Sequence, residues 1–200
     1  MSEIEDRLAR PAAGSSWDRV RGNLLASAES EGLLDVTYEV HETPFGEMIV
    51  AASREGIVRI ALPAEDAGQV LDSLAARVSP RLAMLGRNSI TRAREQLDSY
   101  FGGNLREFEL PLDWRLTGGF RRSVLEQTAA IPYGVTASYG EIAGRAGSPG
   151  ASRAAGSALA NNPLPIVVPC HRVLRSDGKI GAYLGGTEMK RALLELEGRR

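Results

Sequence analysis

Apolar and polar residues alternate at Val36, Tyr38 and Val40, and two apolar runs follow at 48–52 and 57–62, set off by Pro44-Phe45-Gly46 and by Gly56. A period of two with turn residues between the runs predicts three antiparallel strands. The period then changes. Val70, Leu71, Leu74 and Val78 fall on one face of a helix predicted over 66–78. Ile90, Ala93, Leu97, Tyr100 and Phe101 do the same over 90–101, where Gly102-Gly103 ends the helix. A short strand is expected over 108–110, and Pro111 with Gly118-Gly119 marks a boundary.

Beyond that boundary the signals are helical. A helix over 120–130 is stopped by Pro132 and Gly134, and Ser138-Tyr139-Gly140-Glu141 matches a capping box that opens a short helix ending near Ala146. Gly147 suits the left-handed residue after a helix, and Ser148-Pro149 reads as N-cap and first-turn proline of a second helix reaching Ala160. Two short helices around a glycine turn read as a helix-turn-helix or as a plain helical hairpin, and the pattern alone does not choose. Met189, Ala192, Leu193 and Leu196 form the stripe of a last helix after Gly185-Gly186, with Glu197 at its margin. The expected fold is α+β: an extension over 1–35 with one short helix from about Ser16, an N-terminal domain over 36–112 with an antiparallel sheet and helices, and a mostly helical C-terminal domain over 113–200.

Charge adds a direction to this plan. Residues 1–114 carry 12 Lys+Arg against 19 Asp+Glu, whereas residues 115–200 carry 12 against 6. The net charge of −1 therefore hides a basic C-terminal part, the candidate nucleic-acid face. No apolar run approaches the roughly 20 residues of a membrane span, and the start, with Glu3, Glu5 and Asp6, is unlike a secretory signal. A cytoplasmic protein is expected. With one cysteine and two histidines there is neither an internal disulfide nor zinc spacing, so no metal and no cofactor are expected.

The candidate chemistry gathers at Pro169-Cys170-His171-Arg172, delivered by the apolar run 166–168. A lone cysteine is most often a small buried hydrophobe. Here one of the two histidines stands beside it and Arg172 comes next, surroundings that favour a thiolate. Side chains at i and i+1 diverge in helix and strand alike, so a working pair needs a turn or a bridging water. Glu197, in a last turn where a carboxylate opposes the helix dipole, would complete a Cys-His-Glu relay if it met His171, and is otherwise a solvated terminal acid. The helix 151–160 is built of small residues apart from Arg153 and Leu159, which suits close approach to a DNA groove or to the protein core.

The motifs Ile131-Pro132-Tyr133-Gly134, Ser138-Tyr139, Arg153-Ala154-Ala155-Gly156, Asn162-Pro163, Pro169-Cys170-His171-Arg172-Val173, Tyr183, Gly185-Gly186, Lys190 and Glu197-Gly198 stand in an order and spacing that resembles the O6-alkylguanine-DNA alkyltransferases, also called methylated-DNA-protein-cysteine methyltransferases. The resemblance is strong over 120–198 and looser over 36–110. It implies a winged helix-turn-helix domain that binds double-stranded DNA through the minor groove, flips out the damaged nucleotide and moves its alkyl group to Cys170, once per molecule and as a monomer. O6-alkylguanine is the implied substrate, with O4-alkylthymine as a further candidate. His171 would act as base through water, Glu197 would hold His171, and Asn162 would brace the turn before the site. Tyr139 would help rotate the nucleotide and donate a proton to the departing guanine, and Arg153 would fill the stack. Ser152, Ala154 and Gly156 would meet DNA, while Val173, Tyr183, Leu184, Gly185 and Gly186 would form the pocket.

Two positions depart from that pattern. Ala160 stands where many members have a second arginine, and Leu184 where some have serine. Three other readings are weaker. An alkyltransferase-like lesion sensor lacks the acceptor cysteine that is present here, a winged-helix regulator leaves Tyr183 and Glu197 unexplained, and a Cys-His hydrolase needs an oxyanion site for which no signal appears.

Overall fold

The computed structural model describes residues 16–198; the acidic start of the chain lies outside them. The first element among them is helix α1 (Ser16–Ser30), followed by the hairpin strands β1 (Val36–Thr43) and β2 (Gly46–Ala52) and by β3 (Ile57–Ala61). These three strands pair antiparallel, with His41 opposite Met48 and Ile49 opposite Ala61. Thr43 closes the first turn, donating its hydroxyl to Gly46 O at 2.6 Å. β2 is buried from Met48 onward because both faces of the sheet are covered. Met48, Val50 and Ala52 join one apolar cluster with Ile90, Leu97 and Tyr100, while Ile49 and Ala51 join another with Val70 and Leu74. An alternating strand thus reads as a continuous apolar run.

Helices α2 (Ala67–Arg77) and α3 (Asn88–Phe101) supply those two covers, and Asp66 caps α2 by accepting from Gln69 N at 2.8 Å. Between them β4 (Leu82–Met84) adds a fourth strand, parallel to β1 with Val36 opposite Leu82, giving the order β3-β2-β1-β4. Three residues that pair across forty-six positions carry no local pattern, so the periodicity did not announce this strand. The strand expected over 108–110 is absent. In its place Ile57 N donates to Pro111 O and Asp113 N to Ile57 O, both at 2.8 Å, so a connecting segment covers the open edge of β3.

The C-terminal half carries α4 (Gly119–Ala129), β5 (Ala137–Ser138), α5 (Tyr139–Arg145), α6 (Ser152–Ala160), β6 (Val173–Leu174) and α7 (Gly186–Leu196). The capping box forms as the sequence requires: Ser138 Oγ accepts from Glu141 N, and Glu141 accepts from Ser138 N. Gly147, at φ 83°, ends the turn after α5. Ser148-Pro149 does not start α6. Ala151 N closes a turn on Ser148 O at 3.1 Å with Gly150 left-handed between them, so the helix begins only at Ser152 and has no side-chain cap. The buried face of α7 holds Met189, Lys190, Leu193 and Leu194, with Ala192 and Leu196 only half-buried. The stripe is rotated by one position because Lys190 and Glu197 face inward. One apolar cluster runs from Met48 and Tyr100 through Ile142 and Leu159 to Cys170, crossing the boundary expected near residue 112. Among the described residues no helix is long and apolar enough to cross a membrane.

Candidate active site

The segment between α6 and β6 is short, apolar and tightly turned. Asn162, 1% exposed, organises it: its Nδ2 donates to Val168 O at 2.9 Å and to Cys170 Sγ at 3.2 Å, while its Oδ1 accepts from Leu164 N at 3.0 Å. Ile166 sits at φ 74° within this loop, a conformation a β-branched residue adopts only under constraint. A single 3₁₀ turn then carries Cys170, His171 and Arg172, all buried. It fans their side chains apart, and the thiol and imidazole make no direct hydrogen bond.

His171 Nε2 lies 3.0 Å from Glu197 Oε1, and its Nδ1 has no partner among the described residues. A proton on Nε2 satisfies the carboxylate and leaves Nδ1 as an acceptor. Glu197, the C-cap of α7, collects further donors: Tyr100 Oη at 2.7 Å, Arg172 Nε and Nη2 at 2.9 and 2.8 Å, and Gly134 N at 3.1 Å. Burial pushes its pKa up, yet the hydrogen bonds from His171, Arg172 and Tyr100 bring it down to about 2. For His171 burial dominates over Glu197 and lowers the pKa, so the imidazole is neutral.

The thiol environment differs from the one expected. Burial raises the Cys170 pKa, and the Asn162 N–H, the charge of Lys190 and the local backbone N–H groups only partly offset this. The resting sulfur is a thiol. Arg172, expected as its activating cation, is instead consumed by Glu197 and by the Ile131 carbonyl. The cation acting on Cys170 is Lys190, fully buried, donating to Val173 O at 2.6 Å and lying over the Tyr139 ring. Burial, opposed by Cys170, lowers its pKa to about 8.

A pocket of about 180 Å³ opens on Cys170, lined also by Tyr139, Gly156, Leu159, Ala160, Ala182 and Tyr183. Tyr139 is the first residue of α5, and burial followed by the proximity of Cys170 raises its pKa, keeping the phenol protonated. Gly181 lets it in: a Cβ there would stand 2.6 Å from Tyr139 Oη. The Tyr183 ring meets His171 edge to face, with centroids 6.4 Å apart, and its buried hydroxyl has no partner among the described residues. Other expected wall residues lie elsewhere. Leu184 lines a separate cleft with Arg59 and Arg121, and Gly185 lies behind Tyr183, where a Cβ would meet Met189 Sδ. Gly186 begins α7. Val173 donates its N–H to Cys170 O, and its carbonyl accepts from Lys190 with a second lone pair left over. On α6, Arg153 and Ala154 are exposed, Ser152 and Gly156 half-buried, and Arg153 has no partner among the described residues. No group of metal-ligating side chains occurs among the described residues.

Reasoning from sequence missed Tyr100 and the roles of Lys190 and Arg172. Tyr100 sits on an apolar helical stripe, which reads as plain core, and a lysine is the residue least expected to be buried.

The buried cysteine and the small-residue helix α6 thus border one pocket, and the carboxylate-held histidine follows the cysteine in the chain. Two family models match, described as "6-O-methylguanine DNA methyltransferase, ribonuclease-like domain" over 36–114 and "6-O-methylguanine DNA methyltransferase, DNA binding domain" over 119–199. A methylated-DNA–protein-cysteine methyltransferase of Methanosarcina acetivorans is 37% identical over 162 residues, covering 80% of this chain and 97% of the relative. The chain belongs to this family. The homologue of Mycobacterium tuberculosis is 53% identical over 105 residues, a stretch that covers 52% of this chain and 63% of that protein. The crystal structure of Mycobacterium tuberculosis OGT in complex with DNA superposes with a TM-score of 0.69 at 37% identity, covering 80% of this chain and 92% of that one.

Proposed function

We propose that this protein repairs DNA by moving the alkyl group of O6-alkylguanine onto Cys170, each molecule reacting once. The observation that carries the reading is the contact of Asn162 Nδ2 with Cys170 Sγ at the floor of a pocket whose thiol neighbours a neutral, carboxylate-held imidazole. Neutral His171 takes the thiol proton at Nδ1 through a water, and Glu197, already charged, stabilises the imidazolium. Sulfur then attacks the alkyl carbon as the carbon–O6 bond breaks, and the electron pair goes to the purine. Tyr139 donates a proton to the departing base and is reprotonated from His171, so the thiol proton ends on guanine. The thioether has no route back to the thiol within this site, hence the single turnover.

The target carbon is buried in a duplex, so the nucleotide has to leave the stack, at a cost of a few kcal/mol that a damaged pair lowers. Helix α6 is the groove-facing element of a helix-turn-helix formed with α5, entering the minor groove through Ser152, Ala154 and Gly156. Arg153, exposed and without a partner among the described residues, fills the vacated stack. The protein acts as a monomer.

Incubation with an oligonucleotide bearing O6-methylguanine is expected to add one methyl group to the Cys170 peptide, read by mass spectrometry. Lesion binding with Cys170 unmodified would replace this reading with a sensor. Arg153→Ala is expected to weaken repair in duplex more than reaction with the free modified base, and equal losses would remove its stack-filling role.

A further inference from the structure

The Asn162-Pro163 turn is held from outside its own half of the chain. Ile60, in the edge strand β3, donates its backbone N–H to Pro163 O at 2.8 Å. Beside it the Arg59 guanidinium forks. Nη1 reaches Ile60 O at 3.0 Å, Pro163 O at 3.3 Å and Asn162 O at 3.4 Å, while Nη2 pairs with Glu65. Glu65 is itself fixed, its Oε1 accepting from Leu62 N at 2.8 Å. The Arg59 and Glu65 side chains are each only 15% exposed.

The turn needs holding. Four residues on, fully buried Ile166 sits at φ 74°, a strained conformation that persists only where surrounding contacts impose it. Asn162 has both ends of its amide engaged, on Val168 O and Cys170 Sγ through Nδ2 and on Leu164 N through Oδ1. Where Nδ2 stands relative to the sulfur is therefore set by the backbone at 162–163, whose two carbonyls are the acceptors of Arg59.

We propose that Arg59 is a positioning residue for Cys170: by tying the Asn162 and Pro163 carbonyls to β3 it keeps Asn162 Nδ2 on the sulfur. The N-terminal half thereby sets the reactivity of a thiol that the C-terminal half carries. This rests on the repair reading only in taking Cys170 as the reacting group, and a small electrophile tests it without DNA.

The experiment follows alkylation of Cys170 by iodoacetamide across pH in the full chain. Arg59→Lys keeps a positive charge opposite Glu65, but an ammonium lacks the planar fork that serves carboxylate and carbonyls together. Its rate at pH 7 is expected to fall roughly threefold to tenfold with the pH midpoint moved up, because the Asn162 N–H favours the thiolate. Glu65→Gln removes the ion pair and leaves Nη1 on the carbonyls, so wild-type rate and midpoint are expected. Arg59→Lys with wild-type behaviour would overturn the proposal. So would equal losses in the two variants that track their urea midpoints, which assign the pair to stability alone. Methyl transfer from the lesion oligonucleotide is measured in parallel: a wild-type protein that transfers nothing sinks the repair reading and leaves the Arg59 result standing.

Discussion

Tyr100 donates its hydroxyl to Glu197 Oε1 across 2.7 Å, joining helix α3 of the N-terminal half to the end of the last helix. The Tyr100 hydroxyl oxygen also lies 3.3 Å from His171 Nε2, so a residue from the sheet-bearing half completes the ring of donors around the carboxylate. Burial and then the charge of Glu197 push the Tyr100 pKa far up, which fixes it as a donor. Tyr100→Phe is expected to cost about 1.5–3 kcal/mol of stability, the usual worth of a hydrogen bond to a charged group. Methyl transfer is expected to slow roughly threefold to tenfold as His171 loses part of its alignment. Single-turnover rates and urea midpoints on the same preparations check both, and an unchanged rate would confine Tyr100 to packing.

Glu197 gives the fold an acid limit. Its folded pKa of about 2 lies below the ordinary 4.5, so its contribution to stability is fully present above about pH 5.5 and is lost as pH falls through 4.5 towards 2. The shift corresponds to about 3 kcal/mol. Glu197→Gln should flatten this part of the urea midpoint against pH. At neutral pH it should also destabilise by roughly 3–5 kcal/mol, since Arg172 is left buried and unpaired. A wild-type acid profile in the variant would be inconsistent with this.

Because Cys170 rests as a thiol with a raised pKa, its alkylation by a small electrophile should keep climbing between pH 7 and 9. Unfolded protein should level off earlier. Asn162→Leu removes the N–H from the sulfur and is expected to move the midpoint higher still, with a lower rate at pH 7. A midpoint at or below that of the wild type would separate Asn162 from the thiol chemistry.

Gly181→Ala places a methyl group against the Tyr139 hydroxyl, which has to move away. The displaced group is the free end of a side chain at the pocket, so stability should change by less than about 1 kcal/mol. Transfer from the lesion oligonucleotide should fall by an order of magnitude or more. Retained transfer with a displaced ring would show that Tyr139 is not the proton donor.

Much of this was legible along the chain. The three antiparallel strands, α2, α3, α4 and the capping box of α5 follow from periodicity and capping, which act over a few residues and are written in neighbouring positions. Two local readings failed where a turn closed on itself, at Ser148-Pro149, and where a proline-bearing segment covered a strand edge instead of forming a strand, at 108–110. The parallel pairing of β4 left no trace, because three residues cannot advertise a partner forty-six positions away.

For the site, the sequence by itself determined which groups are available: one thiol, one imidazole beside it, a carboxylate on the last turn, an asparagine before the loop. Tertiary structure alone decided what each of them feels. Arg172 is two residues from the cysteine in sequence yet spends its charge on Glu197, while Lys190, twenty residues away, is the cation whose charge reaches the sulfur. Tyr100 and Arg59 come from the other half of the chain. The reason is physical. Desolvation and charge depend on distances in the folded interior, and those are set by packing, which the order of residues along the chain does not display.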